Sequence, residues 1–250
     1  DLLPGSTTEQ KVASGYNRLL QTTHEGGLQL KEYDAIYAAD RVRNLSEVWM
    51  GATVGCAQCH DHKYDPYTIT DHYALAAFFS DLADRGFTGN SLPTKRPPEI
   101  IIHRPENLAE MKSLQERMNA LLAPEAQKNF QDLQDRRNRL TASLRKAKEK
   151  DKADLQKRLD TIAGERAKLA GEKDLAEFAK LRKLRAEIEK RGRPTMISQA
   201  VKPRTMRVLP RGNWMDESGP EVLPAVPGFL GAIESDKDRL TRLDLADWLT

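Results

Sequence analysis

Residues from about 106 to 191 are dominated by Ala, Leu, Glu, Lys, Arg, Gln and Asp, a composition that commits this stretch to long solvated helices. Leu133, Leu140, Leu144 and Ala147 follow one apolar seam, and Leu155, Leu159, Ile162 and Leu169 follow another. The two seams are out of heptad register by one residue across Lys148-Glu149-Lys150-Asp151-Lys152. A phase break near the midpoint predicts a turn, and so an antiparallel helical hairpin of coiled-coil type. Each arm of roughly 40 residues would reach about 60 Å. One continuous helix that dimerises is the alternative. Pro124, Gly164 and Gly171 weaken the ideal pattern in either arrangement.

This segment explains why the chain of 250 residues is only 39% apolar and 31% charged. The 40 basic and 37 acidic residues of the whole chain are interleaved, so a net charge of +3 gives no nucleic-acid footprint. No run of about 18 apolar residues exists, so no membrane span is expected. The chain opens on Asp1 and ends inside an amphipathic pattern, Asp247-Trp248-Leu249-Thr250. It is therefore expected to be a piece of a longer protein, in which the absence of an export signal is uninformative.

Around the charged segment the pattern is different. Thr7-Thr8-Glu9-Gln10 predicts a capped short helix. Ile36, Tyr37, Val42, Leu45, Val48 and Trp49 recur at spacings of three and four, which predicts a helix from Tyr33 to about Met50. Thr70-Asp71 is expected to cap a further apolar helix containing Tyr73, Leu75, Ala76, Phe78, Phe79 and Leu82. Residues 84 to 104, with their glycines and prolines, read as a linker. From Arg193-Pro194 to Pro227 the chain reads as an extended strap over another domain's surface, followed by the start of a helix at Leu240. The expected fold is mainly α: a small helical haem-c domain (1–104), a long antiparallel helical hairpin (105–192), and the extended start of a further domain (193–250).

The two cysteines lie in Cys56-Ala57-Gln58-Cys59-His60, between two apolar helices. Cysteines at i and i+3 are about one turn apart, the spacing that thioether bonds to both vinyl groups of one haem require. The adjacent His60 then reaches the iron as proximal ligand. Three rivals stay open. A thioredoxin-like redox pair normally sits in a βαβ frame, which is not visible. Zinc needs four ligands, and Cys56, Cys59 and His60 or His62 supply three, leaving His24, His72 or Asp65 for the fourth. A disulfide closing so short a loop adds little stability.

Behind the motif, Asp61-His62-Lys63-Tyr64-Asp65-Pro66 is read either as a set of groups tuning the iron and the histidine tautomer or as a solvated loop. The sixth iron ligand is open among His24, Met50, His72 and His103, or a vacant position; His62 is too near His60 to reach the opposite haem face. Asp40, Arg41 and Arg43 are read as partners of the haem propionates or as ordinary ion pairs. Trp49 and Phe78-Phe79 are read as haem walls or as plain core.

Three stretches resemble a family of large proteins abundant in planctomycetes and related bacteria, which carry cytochrome-linked and planctomycete-specific domains of unknown function. The first is Ala13-Ser14-Gly15-Tyr16-Asn17-Arg18 with Glu25-Gly26-Gly27. The second is Asp40-Arg41-Val42, then Trp49 to Pro66 through the cysteine motif, then Tyr73 to Phe79. The third runs from Arg204 to Trp248 and includes Leu209-Pro210-Arg211-Gly212. The resemblance implies a haem site at Cys56, Cys59 and His60 with Asp61, His62 and Lys63 as companions, and an exported, cell-envelope location. His24 departs from the family pattern. No substrate is implied.

The resulting expectation is an electron-transfer module carrying one haem c in the periplasm or cell envelope. Its partner would be a redox protein or another domain of the same chain. The alternatives are a redox enzyme, with saccharide oxidation as one example, and a structural adaptor acting through the hairpin.

Overall fold

The computed structural model describes residues 1–21, 27, 29–84, 97–147 and 149–250. The helices are α1 (Thr8–Ser14), α2 (Leu30–Leu45), α3 (Ile69–Ala77), α4 (Pro105–Leu121), α5 (Pro124–Lys146), α6 (Glu149–Ala167), α7 (Glu172–Glu189) and α8 (Arg242–Leu249). The strands are β1 (Glu99–Ile102), β2 (Arg193–Met196), β3 (Met206–Arg207) and β4 (Glu221–Val222). β1 pairs with β2, and β3 pairs with β4 in an antiparallel register that sets Met206 opposite Val222. The protein is mainly α, as its periodicities predict. It divides into two compact units, residues 1–100 with 194–250, and residues 101–193.

The first unit is built around α3, whose residues His72 to Ala77 are all buried. A helix apolar on every side belongs at the centre of a core. Ala38, Val42 and Leu45 of α2, spaced by four and three, pack on the same core with Val54, Ala57, Leu75, Phe78 and Leu82. Thr68 and Asp71 cap α3 reciprocally, so the helix starts one turn-fragment earlier than the expected Thr70 cap. Thr7 and Gln10 form the same kind of box on α1, as expected.

Residues 194–250 belong to the same compact unit as residues 1–100. The reason is that the strap's apolar residues, including Val226 and Leu245, have no core of their own and fill the one around α3. Its cations also add hydrogen bonds to carbonyls at and beyond the C-terminal end of α3. Arg239 donates to the Ala77 carbonyl at 2.6 Å and to the Ser80 hydroxyl at 2.8 Å. Arg204 donates to the Leu82 carbonyl at 2.9 Å.

The second unit is the antiparallel hairpin, with α4 on α7 and α5 on α6. The chain reverses between Lys146 and Glu149, at the phase break. Each arm is two helices rather than one. Pro124 opens α5 and Gly171 precedes α7, the two kinds of residue that interrupt a helical hydrogen-bond ladder or loosen it. The core of this unit holds Leu114, Met118, Phe130, Leu175, Phe178, Leu181 and Ile188, with the rings of Phe130 and Phe178 edge to face at 5.1 Å. Among the described residues, no helix is long and apolar enough to cross a membrane.

Candidate cofactor-attachment site

α2 runs into a π-turn at Ser46–Met50 that ends on Gly51 in the left-handed conformation, φ +62°. The chain then winds into a 3₁₀ turn, Val54–Gln58. With three residues per turn, residues i and i+3 share a face. Val54 and Ala57, both fully buried, anchor one face. Cys56 lies within the turn and Cys59 follows its last residue, and both cysteines are exposed and free.

His60 is exposed beside them. Its Nδ1 lies 2.6 Å from the carbonyl oxygen of Asp61. A carbonyl only accepts, so Nδ1 carries the proton and Nε2 keeps its lone pair. That tautomer is the one a metal-ligating imidazole needs.

His62 does a different job. Its Nδ1 accepts the backbone N–H groups of Tyr64 at 3.2 Å and Asp65 at 2.8 Å, so it carries no proton. Nε2 then donates to the Thr53 hydroxyl at 3.1 Å. The Asp65 carboxylate, 3.5 Å from Nδ1, is therefore no ion-pair partner to a neutral ring. His62 also donates its backbone N–H to the Tyr67 carbonyl, at 2.8 Å. One side chain thus folds the loop after the motif. Asp61 accepts the Ile69 N–H at 2.8 Å and ties the same loop to the first turn of α3. Lys63 lies over the ring of the exposed Tyr64, 5.1 Å from its centroid.

His72 stands in the core of the unit, 1% exposed, with Nδ1 3.3 Å from the Val54 carbonyl. Burial pushes its pKa down to about 4, so it is neutral at neutral pH. It braces the 3₁₀ turn from beneath rather than sharing the exposed face of Cys56, Cys59 and His60. Met50 is half-buried and packs on the core. His24 lies outside the described residues, and His103 belongs to the second unit.

Arg41 is buried and held from two sides. It makes two bonds of 2.6 Å to the Asp84 carboxylate and two to the Asn17 carbonyl. The pair is buried, unlike an ordinary exposed ion pair. Trp49, Arg41 and Phe79 meet at a cavity that Cys56, Cys59 and His60 do not border.

Two contacts at the motif come from far along the chain. The single O–H of Tyr73 is shared between the Gln58 carbonyl at 3.1 Å and the Leu209 carbonyl at 3.4 Å. Burial raises the Tyr73 pKa to about 12, and the neighbouring Cys59 adds to the rise. The turn Pro210–Gly212 lies against the motif, where a Cβ on Gly212 would stand 2.9 Å from the Cys59 sulfur. Leu209-Pro210-Arg211-Gly212 stood out in the sequence, yet nothing in its local pattern tied it to Cys59.

Among the described residues, no three His, Cys, Asp or Glu side chains converge into a group able to hold a metal ion by themselves. The described strands form only two-stranded sheets, so no βαβ frame surrounds the cysteines. Residues 1–84 match the PSCyt2 family, described as a protein of unknown function (DUF1549). It is a planctomycete-type, cytochrome-associated domain family. The PSCyt2 match takes in Cys56, Cys59, His60 and the loop behind them, and it ends on Asp84, the partner of Arg41. No curated protein and no solved structure matches the chain.

Proposed function

We propose that Cys56 and Cys59 carry one c-type haem through two thioether bonds, that His60 ligates its iron through Nε2, and that the chain transfers electrons. The observation that carries this reading is a pair of exposed, free cysteines three residues apart, one within a 3₁₀ turn and one at its end, beside an imidazole whose Nδ1 is already committed to the Asp61 carbonyl. These residues fit the group. Each thiol adds its S–H across a vinyl C=C, a step that needs no oxidant. When bound, the haem supplies a one-electron ferric/ferrous couple.

The chain's own residues hold the site in place. The bond from Nδ1 to the Asp61 carbonyl fixes the ring's tautomer and raises the basicity of Nε2. His62 holds the loop that carries His60, and His72 and Tyr73 brace the turn that carries the cysteines. Exposure of the motif suits electron exchange with a partner protein or another domain of the same chain. Because c-type haem is attached outside the cytoplasm, the same reading assigns the chain to the periplasm or cell envelope.

A reduced pyridine-haemochrome spectrum tests it, on chain produced with c-type maturation and denatured before assay. A c-type spectrum that stays with the denatured protein and is lost in Cys56→Ser/Cys59→Ser is expected. Absence of haem despite competent maturation would overturn the reading.

A further inference from the structure

A second site lies in the first unit, in a cavity of about 400 Å³ bordered by residues 16–20, the C-terminal half of α2 with its π-turn, and α8. That volume lies in the range of small-molecule sites. Its walls are largely apolar, with Leu45, Phe79 and Leu245 buried behind it and Tyr16 and Trp49 exposed at 49% and 61%. The Tyr16 hydroxyl donates to Asn44 Oδ1 at 2.6 Å, which orients the ring.

Charge decides what the cavity takes. Two guanidinium groups border it, and neither is available. Arg41 is held by Asp84 at 2.6 Å. Arg242 is held by Asp1 at 2.8 Å and by Asp81 at 3.0 Å. Asp40, half-buried on the same lining, has no hydrogen-bond or ion-pair partner among the described residues. Among the described residues, an anion would meet a bare carboxylate and no free donor of positive charge. A neutral apolar molecule would strip water from Asp40 and give nothing back, an unfavourable exchange. A cation satisfies the carboxylate and gains from the two aromatic rings.

We infer that this cavity binds a small amphipathic monocation, an ammonium head on Asp40 with an apolar body against Trp49, Leu45 and Leu245. The inference is independent of the haem reading, since neither cysteine nor His60 borders the cavity.

Titration calorimetry of the full chain with trimethyl(phenethyl)ammonium and with its neutral carbon isostere, (3,3-dimethylbutyl)benzene, tests it. The cation is expected to bind at least about tenfold tighter than the isostere. Asp40→Asn should abolish that preference and Asp40→Glu should keep it, with circular dichroism confirming the fold of both. Trp49→Ala should weaken the cation. Cys56→Ser/Cys59→Ser should bind like the parent, which separates this result from failure of the haem reading. Equal affinity for the two probes, an unchanged preference in Asp40→Asn, or no binding of either probe would overturn the inference.

Discussion

Gly212 abuts Cys59 so closely that a methyl group on its α-carbon would stand 2.9 Å from the sulfur, and its φ of +69° is one that residues with a side chain rarely adopt. Both facts exclude a larger residue there. Gly212→Ala should therefore destabilise the first unit by about 1–3 kcal/mol, and it should crowd Cys59 and not Cys56. Thermal melts give the first quantity. Mass spectrometry of iodoacetamide adducts gives the second, with alkylation slowed at Cys59 alone. Equal rates at both thiols would show that the turn at Gly212 does not govern access.

Arg41 and Asp84 form a bidentate pair with side chains 4% and 2% exposed. Removing one partner leaves a buried charge uncompensated. Asp84→Ala should cost about 3–5 kcal/mol in denaturant unfolding, while the Arg41→Met/Asp84→Leu double variant should lose much less. Arg204, 3.4 Å from the same carboxylate, should keep the Arg41→Met single variant milder than Asp84→Ala.

His72 makes stability depend on pH in a predictable direction. Folded, it titrates near 4; unfolded, near its ordinary 6.5. Between those values the unfolded chain binds the proton and the folded chain does not, so acid favours unfolding. The contribution is complete above pH 6.5 and is lost as pH falls towards 4, by about 3 kcal/mol for a shift of that size. His72→Gln should flatten this slope in urea midpoints measured from pH 7.5 to 4. An unchanged slope would mean that His72 is not the group responsible.

His62 folds the loop behind the motif by accepting two backbone N–H groups on one ring nitrogen. His62→Ala should cost about 1–3 kcal/mol and should speed hydrogen exchange at the amides of Tyr64 and Asp65. Attachment of haem at Cys56 and Cys59 should survive this change. His60→Ala should also keep the thioether-bound haem, but with an altered Soret band. If His62→Ala and His60→Ala gave the same spectrum, their roles would not be distinct.

Legibility followed range. The cysteine motif, the cap on α1 and the break between the two helical arms all depend on residues within a turn or a heptad of one another, so local pattern reveals them. The start of α3 was missed by two residues because Thr68 and Thr70 look alike in sequence, and the reciprocal bonds of Thr68 with Asp71 decide between them. Arg41 looked available for a propionate because Asp84 is 43 positions away. In the sequence Asp40 reads, with Arg41 and Arg43, either as a propionate partner or as an ordinary ion pair, because the partners of the two guanidinium groups beside it, Asp84 and Asp1, are far away in sequence.

By itself the sequence determined that the protein is mainly α, that a charged hairpin interrupts it, and that two cysteines and a histidine sit at the spacing one haem requires. Those features follow from helical periodicity and from covalent reach, both local properties. Tertiary structure decided that residues 194–250 share a core with residues 1–100, that Tyr73 and Gly212 close around Cys59, and that His72 sits in the core instead of beside His60. These outcomes depend on which apolar faces find each other and which buried charges find partners. That is settled by the free energy of the whole packed unit, to which residues as distant as the 136 positions between Tyr73 and Leu209 contribute together.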